Sequence, residues 1–586
     1  MSGPAIHHLV GEKIHEELIR QYGASMDDAA SGLTEHKVYR NLGTMGPDFL
    51  FFNTKDMPEP VRVVADVMQD VTEFIESFRK RILELVPEEV IEAKEAFDQA
   101  VEDGVETSVF LSELEDTVSD FQQVTDAILA TVSMKIQEHV TDSVDIFELL
   151  KHPIQSGEPR DKWWWFDSLH YRRTGTFAET MLKYTSSNPK SAEHAYVLGY
   201  LSHIASDVVG HPYVNMIAGG PYRTFPQRHK VVESFNDVWA YNEIKGEEFA
   251  YSHLYKDYEF EDGLPDSIAE LISNATKEVY GTEYGSSLEP IDVKRSYDLW
   301  FKWFKNTTAS GTIPIPEPYS LSGELQEAWD QFEENMGDIF NGVGNANEAG
   351  GGGFTGLLAA LAAAILASLL VAAAIADYLA GVITTLSTSV VRYFLSVAYE
   401  NLYDAYTKYR LAVSLNGLAF PLREHLNLPI VNHVNDPNLP DTLNHFLDYR
   451  NFPHLPFSEY GAESHLVYPW NGVEEVKSKS APHTYRHNRP TYYMYGDINY
   501  NPLVLDMINK LDIDHLDNHH NMMEKEQLGS AVRLTTEFYQ RFKQSVDKPI
   551  PCFSLDGDRG IGYACWETPN DLEITGNSVN LNFVHK

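Results

Sequence analysis

Two cysteines, Cys552 and Cys565, are all the thiol this 586-residue chain carries. That count excludes a disulfide framework and any cysteine-rich metal site. Basic residues are the second shortage: 45 Lys and Arg stand against 86 Asp and Glu, a net charge of −41. Such a surface repels phosphate backbones, and no run of Lys and Arg makes a local basic patch, so the reading admits no nucleic-acid partner. The same charge opposes strongly anionic membranes but not zwitterionic head groups. The opening stretch, MSGPAIHHLVGEKI, lacks a basic region followed by an apolar one, so no Sec signal peptide is expected. The expectation is a cytoplasmic protein, or one secreted or injected by a non-Sec route with the help of secretion or injection machinery. Also missing are G-x-S-x-G, a P-loop and a Rossmann fingerprint.

Apolar residues are plentiful. They make up 43% of the chain, with 29 Phe, 32 Tyr and 9 Trp, enough for large packed cores. Residues 5 to about 150 carry apolar residues at three- and four-residue steps with charges between, which predicts helices. The break NLGTMGPDFLFFN holds Gly43, Gly46 and Pro47 and reads as a turn presenting Asp48. Helical texture resumes to about Phe304. The predicted class is mainly α. A domain over 1–305 is followed by a Gly/Pro/Asn-rich linker over 306–353, apolar and amphipathic helices over 354–420, and a C-terminal domain over 421–586 of mixed or β-containing character. Phe354 to Ala376 holds no charge and is long enough to cross a bilayer, which needs about 20 residues. Nearly half of it is Ala, so both a buried packing helix and a membrane-associating segment stay open.

Histidine supplies what cysteine does not: there are 23. His203, Asp207 and His211 are spaced four apart, and His229 and Glu233 repeat that spacing further on. Residues four apart share one face of an α-helix. Imidazole and carboxylate are the usual zinc ligands where thiols are scarce. Two neighbouring helices so decorated can hold a cluster of ions, with Asp207 central enough to bridge. Asp237, one turn beyond Glu233, reads either as a partner orienting a ligand imidazole or as an ordinary surface acid. Trp163, Trp164 and Trp165 read as a choline pocket acting by cation–π contact, as an interfacial belt, or as core. His515 and His519 lie one turn apart but lack a third ligand in register. SLDGDRGIG (554–562) reads as an acidic glycine turn that does not match a calcium loop.

HAYVLGYLSHIASDVVGHPYVN followed by HKVVE, with GPDFLFF and HHLVGEKI upstream, resembles the zinc-dependent phospholipase C family of bacterial enzymes that includes the alpha-toxin type. The resemblance covers roughly residues 5 to 305. It implies an all-α domain holding two or three zinc ions at the bottom of a cleft. Asp48, His170, His203 and Asp207 would hold one ion. His211, His229 and Glu233 would hold a second, and His7 with the bridging Asp207 a third. Two histidines compete for the first position; His7 is preferred because Val10 and Ile14, three and seven on, make its face apolar. His139 and His152 are rivals of His170. The best-studied members complete the third site with an N-terminal Trp, whereas here six residues precede His7. They also place five residues between the aspartate and the next histidine, where this chain has three.

The expected activity is that of a zinc phosphodiesterase on a phospholipid membrane substrate, releasing diacylglycerol and a phosphorylated head group, with Asp48 as catalytic base. A toxin or effector role fits the uncharged segment. The alternatives are a single-strand nuclease, which shares the fold, and a membrane-inserting toxin whose zinc domain is only a scaffold.

Overall fold

The computed structural model describes residues 3–52, 59–85, 87–143, 165–218, 226–281, 287–316, 323–336 and 354–427, with Ile146, Tyr222 and most of 531–556. Fifteen named helices appear there: α1 (Pro4–Tyr22), α2 (Asp27–Glu35), α3 (Lys37–Thr44), α4 (Glu59–Glu84), α5 (Pro87–Glu102), α6 (Ser108–Ile136), α7 (Trp165–Tyr171), α8 (Thr174–Thr185), α9 (Ala192–Ala218), α10 (Pro226–Lys245), α11 (Asp266–Tyr280), α12 (Pro290–Thr308), α13 (Glu324–Asn335), α14 (Phe354–Val382) and α15 (Thr388–Leu415). Among the described residues β character is confined to an isolated bridge at Phe553. The mixed or β character expected of 421–586 falls almost wholly outside the described residues.

Two groups of helices lie side by side. The first surrounds α9, whose residues from Ala195 to Ala205 are buried on every face. A helix apolar all round has to be covered all round. Here α1, α2, α3, α8 and α10 cover it. The approach of α3 is closest, because glycines face each other: a Cβ on Gly43 would lie 2.0 Å from the Tyr196 carbonyl oxygen, and one on Gly199 2.1 Å from that of Arg40. No side chain fits there.

The second group is built from α4, α5, α6, α14 and α15. On α4 the buried residues Val61, Val64, Met68, Val71, Ile75, Phe78 and Ile82 repeat at three and four and form one stripe. α14 packs between α6 and α15. It buries Leu358, Ile365, Leu369, Ala372 and Leu379, while Leu370 on its other side is 37% exposed. α14 is long and apolar enough to cross a membrane, a test that core helices also pass, and 56% of its most apolar stretch is buried. The two groups meet where α12 touches α4 and where α10 touches α15.

A short 3₁₀ turn, Asp48–Phe52, joins the groups and lies against α12. Helices α4–α6 thus enter the chain between Asp48 and His170, two residues the fold brings back together. From the C-terminal part, residues 534–543 form a helix docked on the first group: Tyr539 bonds His194 across 3.0 Å, and the Tyr22 hydroxyl donates to Glu537 at 3.0 Å.

Candidate metal centre

Five elements converge on one buried spot. α1 supplies His7, the turn after α3 supplies Asp48, α7 supplies His170, and the ligand-bearing faces of α9 and α10 supply the rest. His203, Asp207 and His211 sit on one face of α9, and His211 is well inside that helix, which runs on to Ala218. His229, Glu233 and Asp237 share one face of α10. Asp48 is aimed by the turn before it. Gly46 adopts φ +51°, and a Cβ there would lie 2.3 Å from the His203 ring, so only glycine lets the chain pass so close.

The distances have a consistent scale. His203 Nε2 lies 3.1 Å from Asp207 Oδ2, and His170 Nε2 3.1 Å from Asp48 Oδ1. His7 Nε2 lies 3.4 Å from Asp207 Oδ1 and 3.8 Å from Asp48 Oδ2. On the other side of Asp207, His211 Nε2 is 3.9 Å from Oδ1. Glu233 Oε1 is 3.5 Å from His211 and 3.1 Å from His229. Two donors bound to one zinc at about 2.0–2.1 Å and the tetrahedral angle lie roughly 3.3 Å apart. The observed spacings match the edges of such polyhedra. Three of the residue groups able to hold a metal ion lie here: His7 with Asp48 and His203; His170 with His203 and Asp207; and His211 with His229 and Glu233; a further one, Asp70 with Glu138 and His139, lies apart in the second helical group. Asp207 touches all three neighbourhoods, through Oδ1 toward His7 and His211 and through Oδ2 toward His203.

Hydrogen bonds fix which nitrogen faces inward. His203 Nδ1 meets the Thr44 carbonyl at 3.2 Å, His170 Nδ1 the Phe166 carbonyl at 2.7 Å, and His211 Nδ1 the Leu555 carbonyl. A carbonyl only accepts, so Nδ1 carries the hydrogen in each, and in the neutral ring Nε2 is a bare lone pair. Those lone pairs face carboxylates. Lone pair against lone pair at 3–4 Å is repulsive unless a proton or a metal ion lies between. Consistent with a cation site, His7 Nδ1 and Nε2, His203 Nε2 and His211 Nε2 are buried and make no hydrogen bond. Burial pushes the His229 imidazole down to about 4, keeping it neutral near pH 7. Neutral imidazole and ionised carboxylate are the states that bind zinc. Asp48, its side chain 15% exposed, is the member that reaches solvent, whereas His203 and Asp207 are fully covered.

His8 points elsewhere, with Nδ1 3.1 Å from the Tyr258 hydroxyl and Nε2 3.4 Å from Glu12. His139 sits in the second helical group, bonded to Tyr409 and Asp70. Trp165 is buried edge-on against Tyr280. His152, Trp163, Trp164, His515 and His519 lie outside the described residues, as does Cys565.

Asp237 is neither of the two things its position in the sequence suggests. It is fully buried and accepts from the backbone N–H of Ala5 and of Ile6, each at 3.1 Å. It caps α1 from another helix and so holds the turn that carries His7. A second residue that sequence reasoning missed is Asp556, whose Oδ1 stands 3.8 Å from His229 Nε2. It lies 323 residues beyond Glu233 with no periodicity linking them.

With this geometry in place, comparison with known proteins adds one result. The family model described as zinc dependent phospholipase C matches residues 145–284, the stretch holding His170, His203, Asp207, His211, His229 and Glu233. Searches of curated proteins and of solved structures returned no match.

Proposed function

We propose that this chain is a zinc-dependent phospholipase C-type hydrolase that cleaves phospholipid phosphodiesters to diacylglycerol and a phosphorylated head group. The observation that carries this reading is the convergence of His7, Asp48, His170, His203, Asp207, His211, His229 and Glu233 at polyhedron-edge distances, within and beside the stretch matched by the family model. In this reading Asp48, His170, His203 and Asp207 serve one ion, His211, His229 and Glu233 a second, and His7 with Asp207 a third. Zinc would supply Lewis acidity and hydroxide near neutral pH.

The protein's own groups do the rest. Asp207, fully buried, neutralises charge at the centre and fixes the spacing of the two helices' imidazoles. Asp48 stands at the solvent side with Oδ1 toward His170 and His203 and Oδ2 toward His7. From there it accepts a proton from the attacking water and orients it toward phosphorus, in line with the departing diacylglycerol oxygen. The charge of −41 favours a lipid with a zwitterionic head group over a polyanion.

The test offers phosphatidylcholine vesicles and single-stranded DNA to the zinc-loaded chain side by side. Release of phosphocholine, abolished by chelator and restored by zinc, is expected. DNA turnover with inert lipid would replace this reading with the nuclease. Vesicle leakage that persists in His203→Ala with Asp207→Asn would favour a membrane-inserting protein.

A further inference from the structure

The helix at 534–543 leads into a strap, residues 552–556, that runs across the metal centre. Each end of the strap is tied down. The Thr174 hydroxyl donates to the Phe553 carbonyl at 2.8 Å, and the Tyr171 hydroxyl to Asp556 Oδ2 at 2.6 Å. Between them, Leu555 uses both of its backbone groups. Its N–H donates to the His170 carbonyl at 2.9 Å, and its carbonyl accepts from His211 Nδ1. One peptide residue therefore spans two of the ligand groups.

The source of these contacts is unlike that of their counterparts. His170 draws its carbonyl from its own helix, one turn back, and His203 draws its carbonyl from the end of α3. The first lies in the same helix and the second on a helix packed directly against α9. His211 is oriented by a residue 344 positions downstream. Such a bond fixes ring orientation and raises ligand basicity. Asp556 adds a carboxylate 3.8 Å from His229 Nε2, held by Tyr171 and by the Tyr222 N–H at 3.3 Å. Thus the His211/His229/Glu233 group depends on the strap, and the His170/His203 group only touches it.

We propose that the strap is a structural part of the metal centre: Leu555 sets the inward nitrogen of His211, Asp556 brings a carboxylate beside the inward nitrogen of His229, and zinc binding is thereby coupled to docking of the C-terminal segment. This rests on the zinc reading above. Coupling of this kind is reciprocal: whatever factor the docked strap adds to zinc affinity, zinc adds to the docking.

Two measurements on the full chain test it. The first is amide hydrogen exchange in peptides covering 552–556, with zinc and with chelator. At least a tenfold slowing by zinc at Leu555 is expected, and equal exchange overturns the coupling. The second is zinc affinity of Asp556→Asn and Asp556→Glu by competition with a chromophoric chelator, read together with the visible spectrum of the cobalt-substituted protein. A carboxylate at this position should matter to the metal by at least the roughly tenfold that an outer partner contributes. A drop of about tenfold in Asp556→Asn, partly recovered in Asp556→Glu and with an altered cobalt spectrum, supports the proposal. Affinity within twofold of the parent and an unchanged spectrum overturn it. Should Asp556→Asn fail to fold, the exchange measurement on the parent decides alone. A parent chain that binds no zinc would instead remove the proposed function, and this inference with it.

Discussion

α9 and α14 are the two longest apolar helices of their respective halves, 27 and 29 residues, and they solve the same problem differently. Each has little polar surface to offer water. α9 is enclosed on all sides and spends its burial on chemistry: His203, Asp207 and His211 interrupt it at four-residue steps, each at 0% exposure. α14 is enclosed on part of its circumference and spends its burial on packing. Its polar interruptions are few, with Ser368 donating to Asp404 on α15 and Asp377 accepting from Gln122 on α6. Apolar character alone therefore does not locate function. Buried polar groups cost free energy unless something satisfies them, so their regular recurrence in α9 marks a site, and their scarcity in α14 marks a wall.

The two helices should respond in opposite ways when each loses a defining residue. His203→Ala combined with Asp207→Asn removes a ligand and the shared carboxylate. Phospholipid turnover should fall by more than the roughly 10–100-fold that loss of an outer partner costs. Elemental analysis should show fewer zinc ions per chain. Helical content should persist, because α9 stays covered. Leu369→Ala in α14 should do the reverse. It opens a cavity beneath a residue now 1% exposed, costing roughly 2–5 kcal/mol of stability by denaturant titration. Zinc content and turnover per folded molecule should be unchanged. A loss of zinc in Leu369→Ala, or full turnover in the double variant, would dissolve the division of labour between the two helices.

Much of this was legible in the sequence, for a definite reason. A four-residue step on one helix is a local rule, so His203, Asp207, His211, His229 and Glu233 announce a shared face before any tertiary structure is known. Asp48 was legible through the turn that Gly46 and Pro47 impose, and His7 through the apolar face continued by Val10 and Ile14. Contacts across long chain separations have no such signature. Asp556 reaches His229 only because the C-terminal helix docks on α1 and α9, and Asp237 caps a helix that begins 233 residues before it. The packing of α14 against α6 was likewise hidden: composition could say that α14 needs cover, but not what covers it.

Asp237 lies on the helix that carries His229 and Glu233. Asp237 experiences two opposed influences. The N–H groups of Ala5 and Ile6, at the positive end of α1, favour its anion. Complete burial disfavours it, and burial wins, raising the carboxyl to about 8. An unfolded aspartate releases its proton near 3.9. Between about pH 4 and 8 the folded chain therefore holds a proton that the unfolded chain has lost, so this group's contribution is complete below about pH 4 and fades as the pH rises through about 8. Asp237→Asn keeps an oxygen for the cap and has no proton to lose. Urea midpoints measured in chelator at pH 5 and pH 9 should therefore fall more steeply for the parent than for Asp237→Asn. Parallel profiles would mean that the helix terminus keeps Asp237 ionised and that α1, with His7 on it, is fastened by charge.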